Sequence, residues 1–119
     1  MVKLSNLLFA FVLTLPSITT FAQTQEKIFY DKDWMGCTQS QAEYYRLVCF
    51  DSKGKPVGKV YDYYITGELQ GEANGALHID KFDDSKSKFI GIMKTFYKNG
   101  KKEAEQLLDK YGNPTYQKG

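Results

Sequence analysis

The chain reads as an all-β protein built as a single antiparallel meander of consecutive β-hairpins. Three observations predict this. First, one local signature recurs: an aromatic or apolar residue, a few turn formers, a glycine, then a short polar run. It occupies residues 50–55, 63–69, 96–102 and 111–113. The four glycines, Gly54, Gly67, Gly100 and Gly112, lie 13, 33 and 12 residues apart and supply the positive φ that tight turns require. Second, the runs between them alternate apolar and polar at period two. Third, apart from residues 74–88 the connections are hairpin-length and no strand–helix–strand pattern appears, which favours antiparallel pairing.

In chain order, residues 23–29 read as a polar, mobile leader, with Ile28, Phe29 and Tyr30 forming a short first strand. Residues 31–42, with Asp31, Trp34, Cys37, Thr38 and Ser40, read as a loop. Residues 43–50 are a strand by alternation: Tyr45, Leu47 and Cys49 share one face, and Tyr44, Arg46, Val48 and Phe50 the other. After a turn at 51–56, residues 57–65 form the next strand, with Tyr61, Tyr63 and Ile65 opposite Val60, Asp62 and Tyr64. Thr66 and Gly67 turn the chain, and residues 68–73 return with a bulge expected at Gly71. Residues 74–88 are ambiguous: Leu77, His78 and Ile79 suit a strand, whereas 81–88 is polar and loop-like. Residues 90–97 are a strand ending at Asn99-Gly100, the strongest short hairpin signal in the chain. Residues 102–108 would also suit a helix, but a turn on either side favours a strand. Thr115 and Tyr116 suit a terminal edge strand.

The first 22 residues differ in kind. Lys3 precedes an apolar run over 7–15, Pro16 and Ser17 break it, and Ala22 is a small residue before Gln23. This is the layout of a secretory signal peptide cleaved after Ala22; the run is far shorter than the roughly 20 apolar residues of a membrane span. The expected organisation is a signal peptide at 1–22, a leader and loop segment at 23–42, and the hairpin domain at 43–119. Export to the periplasm or beyond follows, with membrane contact at most peripheral.

The 97 residues after that cleavage suffice for one small domain. Removing 1–22 removes one lysine and no acid, so the net charge falls from +2 to +1. The charges alternate in sign. Lys98, Lys101 and Lys102 cluster at one turn but Glu103 and Glu105 follow, so no basic face for nucleic acid is expected. Nine tyrosines and eight phenylalanines point to a thin, tyrosine-rich core. Cys37 and Cys49 form either a disulfide, which an exported protein permits, or two free thiols. Their spacing does not decide between these.

Little else suggests chemistry. His78, the sole histidine, has Asp80 nearby but nothing marks a nucleophile beside it. One histidine and two distant cysteines make no zinc spacing. Asp31 and Asp33, or Asp83 and Asp84, match no calcium-loop pattern. No phosphate-cradling glycine loop is present. No catalytic residue, metal or cofactor is therefore expected.

Two stretches align on each other. Tyr63-Tyr64-x-x-Gly67-Glu-Leu-Gln-Gly71-Glu-Ala and Phe96-Tyr97-x-Asn99-Gly100-Lys-Lys-x-Ala-Glu both resemble the bacterial MORN-variant repeat. Residues 44–67 resemble the opening of small exported proteins that carry it, particularly in Bacteroidota. The resemblance covers about 43–105. The chain departs from the pattern at Ile65-Thr66, where the repeat has a charged residue and Asn, and at Ala104, where it has glycine. The array is short and interrupted by 74–88, whereas repeat folds want at least three units. The resemblance implies a hairpin-repeat sheet with a binding or scaffold role. Some relatives are antitoxin-like, a role that export argues against.

The expected function is therefore an exported, non-enzymatic module for protein–protein interaction or scaffolding in the cell envelope. Tyr61, Tyr63, Tyr64, Phe96 and Tyr97 are the candidate binding residues, since exposed aromatics mark interaction surfaces. The open edges at 28–30 and 115–116 allow a homodimer through the sheet. Two alternatives stand beside this: a glycan- or lipid-binding domain using the same tyrosines, and a small hydrolase or toxin built on His78.

Overall fold

Four hairpin turns share one set of hydrogen bonds. In the computed structural model, which describes residues 23–115, the N–H of the first turn residue donates to the carbonyl four positions on. The glycine N–H donates back to the first residue's carbonyl. The pairs are Asp51 with Lys55 and Gly54, Tyr64 with Glu68 and Gly67, Tyr97 with Lys101 and Gly100, and Asp109 with Asn113 and Gly112, all at 2.8–3.0 Å. Each glycine has φ between 79° and 108°. This is the three-residue hairpin that closes a turn with a left-handed glycine. At Asn99-Gly100 only the glycine is left-handed.

The strands between these turns form one sheet in sequence order: β1 (Thr24–Tyr30), β2 (Tyr44–Phe50), β3 (Pro56–Tyr64), β4 (Leu69–His78), β5 (Lys88–Phe96) and β6 (Lys102–Leu108). Every neighbouring pair is antiparallel. The chain is thus an all-β hairpin meander, and the extensive element contacts all join sheet neighbours. Residues 102–108 are strand, not helix. The register shifts beside Gly71, where Asp62 faces Gly71 but Tyr63 faces Leu69.

Two segments differ from expectation, and a third, expected as a loop from residue 81 on, is a loop that folds back over the sheet. The polar leader is ordered: β1 pairs with β2 along its whole length and contributes buried Ile28 and Tyr30. The 23–42 segment is therefore part of the sheet domain. Second, β4 runs on through Asn74 and Gly75 to His78. Gly75 packs beneath Ile90, and the Asn74 side-chain oxygen accepts from the Ile92 N–H at 2.6 Å, so an apparent break is a bulge. Third, residues 79–87 fold back over the sheet with a 3-10 turn at Asp84–Lys86.

That fold-back builds the core. Residues 31–43 and 79–87 meet over one face of β1–β3. The Gly36 N–H donates to the Phe82 carbonyl at 2.8 Å, and the Asp84 N–H to the Trp34 carbonyl at 3.1 Å. The approach is so close that a Cβ on Gly36 would lie 2.1 Å from the Lys81 oxygen. Beneath these loops lie Ile28, Tyr30, Val48, Phe50, Val60, Ala73, Ala76 and Ile79. We call this the core face and the opposite side the outer face.

Cys37 and Cys49 are free thiols. The Cys37 N–H donates to the Phe29 carbonyl, whereas Cys49 pairs with Gln25, four residues back along β1. That offset is roughly 13 Å of strand, beyond the roughly 7 Å a disulfide spans. The expected signal peptide and Tyr116 lie outside the described residues. Thr115 does pair at the β6 edge, its N–H donating to the Leu107 carbonyl.

Candidate functional site: an uncovered aromatic face opposite a buried arginine

The alternation of β2 puts Arg46 on the core face between Tyr44 and Val48, and the loops then bury it, leaving 1% exposed. A buried guanidinium needs partners for its charge and its donors. Asp62, directly across on β3, accepts from Nε at 2.7 Å and from Nη2 at 2.9 Å. Asp84, brought in by the 79–87 loop, accepts from Nη1 at 2.6 Å and Nη2 at 3.1 Å. Nη1 also lies 3.3 Å from the Tyr30 hydroxyl, which donates to the Asp80 carbonyl at 2.7 Å. The guanidinium lies over the rings of Tyr30, Phe89 and Trp34 at 4.9, 5.0 and 5.8 Å.

Burial disfavours the charge on Arg46, but the two carboxylates outweigh it and hold the guanidinium well above its ordinary value. Burial pushes the Asp62 carboxyl up, against the pull of Arg46. Arg46 bonds both Asp62 oxygens, so the pair stands ionised. Burial likewise lifts the Tyr30 hydroxyl.

An aromatic row runs beside this cluster. Trp34 stacks on Tyr44 at 4.2 Å and 11°, with Tyr30 and Tyr64 tilted at either end, 5.6 and 5.7 Å from their neighbours. Asp31, Trp34 and Met35 repeat the hairpin-turn hydrogen bonds: Asp31 N–H to Met35 carbonyl at 2.9 Å and Trp34 N–H to Asp31 carbonyl at 3.0 Å. Trp34 therefore stands where the other turns have glycine, and at φ 61° it is the one left-handed non-glycine among the described residues. With a large ring at the glycine position, this fifth turn escapes a search for glycines.

A shallow cavity of about 220 Å³ opens next to the cluster, with Trp34, Phe89 and Met93 on its apolar side and Gln70, Asp84 and Thr95 on its polar side. The polar groups of the cluster are bonded to one another, so we read it as the brace that pins both loops to the sheet.

The outer face is different. The register aligns its side chains in rows across the strands. One row is Phe29, Tyr45, Tyr63 and Leu69. The next is Lys27, Leu47, Tyr61 and Glu72, continuing to Lys94 and Glu105. Tyr45 and Tyr63 are stacked at 5.0 Å and 18°, and the Lys27 ammonium sits 4.4 Å above the Tyr45 ring. Burial raises the Tyr63 hydroxyl, helped by Tyr45 and Tyr61. The apolar members are half-buried, whereas the core face has its two covering loops.

Of the five expected binding residues, two lie on the outer face, one on the core side, and Phe96 and Tyr97 at the end of β5 and in the turn after it. Tyr61 and Tyr63 are together on the outer face. Tyr64 is on the core side, its hydroxyl donating to the Phe96 carbonyl at 2.7 Å, so it braces β3 to the end of β5. Tyr97 is half exposed in the β5–β6 turn. Sequence reading had the strand parity of Tyr45 but not the register that joins it and Phe29 to Tyr63.

His78 is largely exposed, and its Nε2 is 3.9 Å from an Asp80 oxygen. The other Asp80 oxygen accepts the Phe82 and Asp83 N–H groups. Asp31 and Asp83 are spent on their own turns and Asp84 on Arg46. Among the described residues no group of three or more His, Cys, Asp or Glu side chains is placed to hold a metal. No protein-family model, curated protein or solved structure matches the chain.

Proposed function

We propose that this is an exported, non-enzymatic interaction module that docks a partner protein on its outer sheet face. The observation that carries the reading is the row Phe29, Tyr45, Tyr63 and Leu69, three aromatic rings and a leucine across four strands with no covering loop among the described residues, opposite a face whose loops are pinned by Arg46. Aromatic side chains give large contact area at low entropic cost and are enriched at interfaces. The signal-peptide layout of residues 1–22 supports a role outside the cytoplasm. The likeness of the β3–β4 and β5–β6 hairpins to MORN-variant repeats supports a scaffold role.

The test is affinity capture from the cell envelope with wild type and Tyr63→Lys. Capture of a defined protein that Tyr63→Lys abolishes, with Tyr97→Ala unaffected, supports the reading. Equal capture by all three opposes it. A second reading rests on the near-parallel Tyr45 and Tyr63 rings, which offer a flat platform for a sugar ring. A glycan array showing Tyr63-dependent binding would favour it.

A further inference from the structure

Resting on that docking reading, we infer that the partner the outer face fits is a second copy of this chain, stacked face to face about a two-fold axis parallel to the strands between β2 and β3. Such an axis lays β1 of one copy over β4 of the other and β2 over β3, and keeps each row over itself. Two features make the face self-complementary under that operation, as an isologous contact requires.

The first is charge. The row Lys27, Leu47, Tyr61 and Glu72 has its cation on β1 and its anion on β4. The axis sets Lys27 of each copy over Glu72 of the other, twice per dimer. Within the chain, neither Lys27 nor Glu72 has an ion-pair partner among the described residues, whereas Lys94 and Glu105, farther along the row, have each other. The Lys27 ammonium lies over the Tyr45 ring, so its charge is held on this face.

The second is shape. The row Phe29, Tyr45, Tyr63 and Leu69 falls on itself, with the stacked pair Tyr45 and Tyr63 meeting the same pair reversed. Stacked sheets keep their strands within about 30° of each other, which this axis allows. Four strands about 4.8 Å apart and two rows about 7 Å apart give about 270 Å² of flat sheet per copy. A standard interface buries roughly 800 Å² per partner, so the dimer should be weak and concentration-dependent.

The experiment is sedimentation of protein expressed from its full coding sequence, from micromolar to millimolar concentration. Wild type should shift from monomer toward dimer mass. Lys27→Glu and Glu72→Lys should each weaken association at least about tenfold, because each opposes like charges twice. The double exchange restores opposite signs and should recover most of the wild-type association. A wild type that stays monomeric to millimolar concentration, or a double exchange no better than the singles, overturns the inference. Tyr63→Lys should also abolish dimerisation, with circular dichroism confirming its fold. A monomeric wild type that still captures an envelope protein through Tyr63 overturns the self-partner alone; one that captures nothing overturns the docking reading too.

Discussion

Trp34 stacks on Tyr44 at 4.2 Å from a backbone conformation that four equivalent turns give to glycine. The left-handed form costs a bulky residue roughly 1–2 kcal/mol. The ring offsets this by closing over Tyr44 and the Arg46 guanidinium.

The expected outcome of Trp34→Gly is therefore a net loss of stability. The strain is relieved, but removing a packed tryptophan costs about 3–5 kcal/mol. A net destabilisation of about 2 kcal/mol should appear in urea unfolding followed by circular dichroism, since Trp34 is the only tryptophan. A stabilised variant would show that the ring contributes little.

Arg46 should be much harder to remove than the whole triad. Arg46→Met leaves Asp62 and Asp84 facing each other in a buried site, which costs roughly 3–5 kcal/mol. Replacing all three with apolar residues should recover most of that loss. Chemical denaturation of the single and triple variants separates an uncompensated charge from simple loss of packing.

Gly36→Ala should detach the covering loops. No room exists for its Cβ against the Lys81 carbonyl, so the 31–43 and 79–87 segments must part. Hydrogen exchange should show faster labelling at residue 36 and Asp84, whose N–H groups bridge the two loops, with β5 and β6 unchanged.

Acid should loosen the turns. Asp51 and Asp109 accept from backbone N–H groups, first from Lys55 and Asn113 respectively, and both carboxyls lie below their ordinary value. A depressed carboxyl contributes stability that is complete above its unfolded pKa of about 3.9 and is lost as pH falls through the folded value. Asp62 works in the opposite direction, because burial lifts it. Comparing wild type with Asp109→Asn isolates the turn: the amide oxygen still accepts, but the charge is gone. The Tm gap between them should be present near neutral pH and close below about pH 4.

These relationships were unequally legible in the sequence. The meander was readable because its turns and alternation are local, and local signals identify Gly54, Gly67, Gly100 and Gly112 directly. The parity of β2 placed Arg46 beside Val48 and Phe50, but its partners are 16 and 38 residues away, so its burial could not be seen. Residues 24–27 look like a leader because an edge strand keeps polar side chains; only pairing with β2 gives them structure. Tyr61 and Tyr63 were identifiable as companions on one face of their strand. Their union with Tyr45 and Phe29, and their separation from Tyr64, depend on register.

The central claim is that the outer face is a docking surface. Hydroxyl-radical footprinting of the protein at millimolar concentration in envelope extract, against dilute protein in buffer, tests it most directly. Tyr45 and Tyr63 should become protected while Tyr97 and Tyr111, both exposed at turns, keep their labelling. Equal labelling of all four tyrosines in the two samples would contradict the account.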